Sequence, residues 1–423
     1  MSYIKTPVKG MRDCLPADMQ LREYVIDMIR STYLKYGFSE IETPAIEHIE
    51  NLSNKQGGEN EKLIFKILKR GRDLEQALLV QKYAELSDCG LRYDLTVPLA
   101  RYYANNAEKL TFPFKALQIG SVWRADKPQK GRFRQFTQCD IDILGESTIL
   151  AEIELISATA NMLSKIFSEV GISKFTVHVN DRNILKAMAG YAGFKESDFD
   201  NIFIILDKFD KIGIDGIRSE LEKSDYESKA IEIYIAILNS ITTNVSCKEF
   251  CQFLAGQYLT NNIIDDIDTI IDSVKSIIPA DINVIFDPTL VRGMSYYTGT
   301  IFECSIDGYG FSIAGGGRYD KMIGKYCGKE VCACGFSIGF ERIITILQDN
   351  FDSFNSLKKN KKAILIEPNL PVNQMSELLI EANKMRENGT IVTIQTIKKN
   401  LTFQLKQLEL DGYNEIEKIY SKS

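Results

Sequence analysis

At 423 residues with a net charge of -6, the chain has room for about two or three domains and a large core. It lacks the general basic coat of a bulk polyanion binder, so any nucleic-acid contact has to be local. No apolar run approaches a membrane span and Met1–Gly10 lacks a signal-peptide core. Nine cysteines without a C-x-x-C pair and two isolated histidines, His48 and His178, predict no metal site, a reducing cytoplasm and little histidine-centred acid–base chemistry.

In chain order, KGMRDCLPADM leads into Gln20–Tyr36 at helical period, with Leu21, Val25, Met28, Ile29 and Tyr33 on one stripe and Gly37 placed as a left-handed cap. Residues 38–44 predict a short strand stopped by Pro44. Residues 62–83 predict a strand pair (LIFKIL, ALLVQKYA). LRYDLTVP, residues 91–98, predicts a strand entering a helix near Pro98 that Thr96 would cap; Arg92, Asp94 and Thr96 share its polar face.

QIGSVWRADKPQKGRFRQFTQCDIDILG, residues 118–145, predicts two strands, Gln118–Arg124 and Arg132–Leu144, joined by a basic turn. One face of the second strand carries Arg132, Arg134, Phe136, Gln138, Asp142 and Leu144. Burying such groups unpaired costs several kcal/mol. The face is therefore either a ligand-filled floor or an exposed surface of ion pairs.

Between Asn183 and Pro279 acidic helical segments dominate, predicting an inserted helical domain. Strands return at Asn283. In RGMSYYTG, Gly293 and Gly299 allow close backbone approach, and Arg292 is flanked by apolar residues in a segment expected to be buried, so it needs an anionic partner, either a protein carboxylate or a phosphate. FSIAGGGRYD predicts a strand running into a tight turn at Gly315, Gly316 and Gly317, with no clear helix after it. GFSIGFERI predicts a strand into a helix that carries Arg342. After a polar linker, residues 348–361, the tail reads β-α-β-α-β, a small parallel or mixed sheet.

RYDLTVPLARY, the 118–145 stretch, LVRGMSYYTGTIFE, SIAGGGRYD and GFSIGFERI, in this order, resemble the histidyl-tRNA synthetases, a family of class II aminoacyl-tRNA synthetases. The likeness runs from Lys9 to about Gly412. It implies an α+β fold: a seven-stranded, mainly antiparallel catalytic sheet with a helical insertion, and a C-terminal α/β anticodon-binding domain. The implied boundaries are 1–182 and 281–347 for the catalytic domain, 183–280 for the insertion and 362–423 for the tail domain. The resemblance also implies a histidine–tRNA ligase that uses L-histidine, ATP with Mg2+ and tRNA(His), and forms a homodimer.

By the same resemblance, Arg292 and Arg124 are catalytic. Asp94, Leu95, Thr96, Arg124, Gln138, Asp142, Arg292, Tyr296 and Tyr297 bind histidine. Arg124, Arg132, Phe136 and Arg342 bind ATP, Phe136 stacking on the base, and Gly315, Gly316 and Gly317 wall in the substrate. Ser295 departs from the family's usual Asp. The family's last domain continues beyond the point matching Tyr420 with another strand and helix, so a shortened tRNA-reading unit is expected, with Lys398, Lys399 and Lys406 as its contacts. The rival reading is a regulatory subunit that keeps the fold without catalysis; retention of Arg124, Arg132, Arg292 and Arg342 together argues against it.

Overall fold

The computed structural model describes residues 3–53, 60–82, 85–128, 132–242, 245–293, 297–350 and 360–421. The chain forms two compact units, Met1–Asp13 with Val25–Asp349, and Cys14–Tyr24 with Asn350–Ser423.

The first unit holds strands β1 (Ser39–Glu40), β2 (Ile46–His48), β3 (Lys66–Leu68), β4 (Ser87–Leu91), β5 (Phe114–Trp123), β6 (Gln135–Leu144), β7 (Thr176–Asp181), β8 (Asn283–Phe286), β9 (Thr300–Ser305), β10 (Ser312–Arg318) and β11 (Ala333–Ile338). Eight of them make one sheet in the order β1-β5-β6-β11-β10-β9-β7-β8, and β2-β4-β3 make a small second sheet. The eight-stranded sheet is antiparallel except at its two margins, where β1 runs parallel to β5 and β8 parallel to β7. It thus has one strand more than the seven expected.

Alternation on β6 explains why this sheet can carry a site. Cys139, Ile141 and Ile143 are buried apolar residues on one side, and Gln138, Asp140 and Asp142 lie on the other. The apolar side supplies the hydrophobic drive, so the polar side is free to be functional. The helix Leu150–Ser168 is buried at Leu155, Ile156, Met162, Leu163, Ile166 and Phe167. Glu152 in its first turn takes Arg318 of β10 in a two-pronged ion pair, 2.7 Å from both Nε and Nη2. The first long helix, Pro16–Lys35, buries Val25, Ile29 and Tyr33 as its periodicity predicts, and the Tyr33 hydroxyl meets Thr159 Oγ1 at 3.1 Å.

Two local expectations fail. Residues 62–83 are not a strand pair: among the described ones only β3 is a strand, and Gly71–Leu79 is a helix with Ala77 buried. The apolar residues Leu74, Ala77 and Leu78 stand at helical spacing, and a short apolar run does not distinguish the two structures. Nor do Gly315–Gly317 form a turn. They lie inside β10, between β9 and β11, and a helix, Asp320–Cys327, follows.

Between β7 and β8 the described chain is helical, from Arg182–Ala192 through Asn261–Ile277. The second unit contains β12 (Lys361–Ile366), β13 (Ile391–Thr396) and β14 (Glu415–Ile419), all parallel in the order β13-β12-β14. Helices Val372–Glu387 and Leu401–Leu410 connect them, as the tail's periodicity predicts.

Candidate active site

Cross-strand register fixes which side chains share the polar face. One row crosses the sheet as His178 (β7), Glu303 (β9), Gly315 (β10), Ser337 (β11), Asp140 (β6) and Gln118 (β5). A second row passes through Gly317, Gly335 and Asp142. Cross-strand partners project to the same side of a sheet, so these rows are the floor of the site.

Above the floor lies a cleft of about 290 Å³ whose lining includes Arg124, Arg132, Phe136, Gln138, Arg292, Gly315 and Arg342. A deeper cavity of about 20 Å³ is lined by Thr96, Asp140, Asp142, Tyr297, Tyr319, Gly335, Phe336 and Ser337. Of the residues expected from sequence, Tyr296 and Ser295 lie outside the described residues. Leu95 is buried, and its carbonyl accepts Gln118 Nε2 at 3.1 Å.

Each arginine is seated separately. Arg124 donates from Nε to the Tyr93 carbonyl at 2.8 Å, and its guanidinium sits 5.2 Å from the Phe136 ring centroid. The expected aromatic platform therefore carries a protein cation here. Arg132 is exposed and pairs with Asp126 at 3.1 Å. Arg342 bonds Ser312 Oγ at 3.0 Å and lies over the Phe311 ring. Burial first, and the charge of Arg292 second, hold Arg342 below its ordinary pKa. Several guanidiniums converging against their mutual repulsion make a site for a polyanion.

Arg292 has a protein partner that the sequence did not reveal. Its Nη1 pairs with Glu303, eleven positions along the chain. Its guanidinium lies against Gly315: a β-carbon there would stand 2.1 Å from Arg292 Cζ. This contact, not a turn, is why that position is glycine. Gly316 and Gly317 have other reasons, since β-carbons there would meet the Gly335 and Thr300 carbonyl oxygens at 2.0 and 2.6 Å.

The acidic half of the site is buried. Asp94 Oδ1 accepts the Val97 amide at 3.0 Å, so Asp94, not Thr96, caps the helix Thr96–Asn106. Desolvation raises the Asp94 pKa. Asp142 Oδ1 accepts the Tyr319 hydroxyl, in space left open by Gly335, where a β-carbon would stand 2.0 Å from that oxygen. Burial pushes the Asp142 carboxyl up to about 7. Gln138 Nε2 donates to Asp140 Oδ2 at 3.0 Å and to Ser337 Oγ at 3.2 Å. Beside these groups, Glu341 accepts the Thr137 amide at 3.2 Å and Arg12 at 2.9 Å.

Sequence reasoning missed Asp140, Glu303, Tyr319, Ser337 and Glu341. Asp140 was within reach of period-two alternation between Gln138 and Asp142. The others contribute through contacts between segments distant in sequence, which no local pattern carries.

An antiparallel sheet with a cationic cleft and acidic cavity on one face is the catalytic architecture of class II aminoacyl-tRNA synthetases. The structure is similar to that of a histidyl-tRNA synthetase from Nostoc sp. PCC 7120, with TM-score 0.79 and 28% identity, covering 97% of this chain and 90% of that one. It also matches, with TM-score 0.79, a Bacillus halodurans structure described as an ATP phosphoribosyltransferase regulatory subunit/histidyl-tRNA synthetase, covering 100% of both chains. At 21% identity that likeness concerns the fold alone.

The family model described as histidyl-tRNA synthetase matches residues 10–343. A histidine–tRNA ligase of Leifsonia xyli subsp. xyli is 40% identical over 416 residues, 96% of this chain and 94% of that protein. The chain belongs to the histidyl-tRNA synthetase family.

Proposed function

We infer that the protein is a histidine–tRNA ligase, which activates L-histidine with ATP and transfers it to the 3′ end of tRNA(His). The observation that carries this reading is the joint lining of one cleft by Arg124, Arg132, Arg292 and Arg342, beside a buried acidic cavity, in a chain of this family. A non-catalytic regulatory subunit has no need of four guanidiniums aimed at one polyanion. Its fold is equally compatible, so the side chains and the ligase relatives favour the enzyme.

In the proposed reaction an oxygen of the histidine carboxylate attacks the α-phosphorus of ATP. The bond to the bridging oxygen breaks, and diphosphate leaves with the bond's electron pair. Arg292 and Arg124 hold the carboxylate and α-phosphate in line and stabilise the crowded phosphorus. Arg132 and Arg342 meet the outer phosphates and the base side of ATP, and Phe136 stacks on the base. Magnesium enters with ATP as part of the substrate.

Histidine selection falls to Gln138, Asp142 and the tyrosines, with Asp94 and Thr96 on the amino-group side. A polar pocket rejects apolar analogues because its own groups would be left unpaired. We assign 1–182 and 281–347 to catalysis, 183–280 to the insertion and 362–423 to anticodon reading. We also propose a homodimer working in the cytoplasm, where nine free thiols are compatible with a reducing compartment.

Histidine-dependent exchange of diphosphate into ATP, without tRNA, tests the reading. Exchange specific to histidine supports it, and none from folded protein that still binds histidine overturns it in favour of the regulatory subunit.

A further inference from the structure

We propose that Asp140 is a further substrate-positioning residue, holding the Gln138 amide with one oxygen and receiving the α-ammonium of histidine with the other. The inference rests on the ligase reading and concerns a residue outside the set assigned to histidine above.

The argument starts from unpaired oxygens. Gln138 Oε1, Asp140 Oδ1 and Asp142 Oδ2 are all buried without a hydrogen-bond partner among the described residues. Their residues are only 8%, 4% and 4% exposed. A buried carboxylate oxygen left this way costs more than a neutral group does, and native proteins keep such atoms where a ligand will meet them.

The orientation of Gln138 follows from Asp140. Both hydrogens of its Nε2 are used, one on Asp140 Oδ2 and one on Ser337 Oγ. Ser337 also acts on Asp140, lowering that carboxyl's pKa against the other influences. With the amide nitrogen held on this side, Oε1 is forced to face away from it. Asp140 therefore sets which end of Gln138 the substrate meets.

The charge of the missing partner is also constrained. Asp140 lines its cavity together with Thr96, given above to the amino-group side, and with Asp142, given above to histidine selection. Burial, and then the charge of Asp142, push Asp140 up to about 8. A cation against Asp140 Oδ1 would offset both effects. An ammonium also brings three N–H donors, enough for several converging acceptors, whereas a neutral imidazole brings one. Asp140 is separated from Gly315, where Arg292 rests, only by Ser337 in the cross-strand row. The two charged ends of an amino acid thus have opposite counter-charges on neighbouring parts of one floor.

The test compares wild type with Asp140→Asn, using histidine, histidinol and imidazole-lactate. Histidinol keeps the ammonium and lacks the carboxylate; imidazole-lactate keeps ring and carboxylate but carries a hydroxyl in place of the ammonium. The variant should raise KM for histidine in diphosphate exchange roughly 30- to 100-fold, the scale of losing a hydrogen bond between charged groups. Its kcat and KM for ATP should stay close to wild type. Histidinol inhibition should weaken to the same degree, and imidazole-lactate inhibition should hold. Equal weakening for imidazole-lactate, or an unaltered KM for histidine, overturns the inference while leaving the ligase reading intact. A wild-type protein without histidine-dependent exchange overturns both.

If the variant folds poorly, calorimetry of the wild type in two buffers near neutral pH replaces it. Histidine and histidinol should release protons on binding, as the ammonium drives ionisation of Asp140, and imidazole-lactate should not. The same release with all three overturns the assignment.

Discussion

Gly315→Ala should leave the fold intact and remove adenylation. Gly315 lies in an extended strand without positive φ, so alanine is conformationally acceptable there. The added β-carbon would stand 2.1 Å from Arg292 Cζ and 2.3 and 2.4 Å from its two terminal nitrogens. These are the far atoms of a flexible side chain, so the guanidinium yields and the backbone does not. Restoring van der Waals contact needs a shift of more than about 1 Å, enough to cost on the order of 100-fold in an in-line reaction. Full loss of a transition-state donor costs about 2.7–4 kcal/mol, which sets an upper expectation of roughly 1000-fold. Histidine-dependent diphosphate exchange measures the effect, with ATP binding and thermal midpoint followed separately. A folded variant with wild-type exchange would show that Arg292 does not act from its seat on Gly315. Gly316→Ala is the contrasting control: its β-carbon would stand 2.0 Å from the Gly335 carbonyl oxygen, which is backbone and cannot yield, so it should not fold.

Asp140 and Asp142 have folded pKa values of about 8 and about 7, well above those of an unfolded chain near 3.9. The folded state therefore holds more protons across that interval, and stability falls as pH rises through it, by on the order of a few kcal/mol. Asp140→Asn should be relatively more stable than wild type in denaturant titrations above neutrality and not in mild acid; parallel pH profiles would refute this. Glu152→Ala takes from the buried Arg318 its two-pronged carboxylate and leaves only Asp320 at 3.5 Å, which should cost up to about 3–5 kcal/mol; an unaltered denaturation midpoint would show that Asp320 and the carbonyls of Glu146 and Thr148 suffice for Arg318. Deleting residues 350–423 should spare exchange and damage aminoacylation with a shallower salt dependence, because the cleft residues all precede that point. Equal loss of both activities in a folded truncation would refute the division of labour.

What the sequence made legible was periodic. The alternation of 118–124 and 132–144 located β5 and β6, although β5 begins earlier, at Phe114, and β6 later, at Gln135. The tail's switch between helical and strand periods gave its whole element order. What stayed hidden was nonlocal. Gly315–Gly317 read as a turn because a glycine run states only that side chains are absent; a guanidinium and neighbouring carbonyls supply the reason, and both come from other segments. For Arg292 the choice between a protein carboxylate and a phosphate stayed open, because the pairing with Glu303 of β9 is a tertiary contact that no local pattern states. Thr96 was favoured as a cap by propensity, yet the carboxylate two residues earlier takes the Val97 amide.

The glycines explain how a flat sheet can hold a deep polar site. Side chains normally fill the face of a central strand. On β10, Gly315 and Gly317 leave this face without side chains, and on β11 Gly335 adds a third gap next to Asp142. The result is a trough one strand wide, with Glu303 on one side and Ser337, Asp140 and Gln138 on the other. Arg292 can lie on the floor of that trough only because Gly315 leaves room, and Asp142 can face it only because Gly335 does. Cations and carboxylates are then held within one water-poor surface without neutralising each other completely, since Asp140 Oδ1 and Asp142 Oδ2 remain unpaired. Such an arrangement is costly while empty, as the raised carboxyl pKa values indicate. A ligand with an anionic end and an ammonium end offsets that cost at both poles simultaneously, whereas one carrying a single charge relieves only half of it. On the proposed ligase reading, preference for a zwitterionic amino acid is built into the backbone of the sheet, alongside the contacts to the side chain that distinguishes histidine.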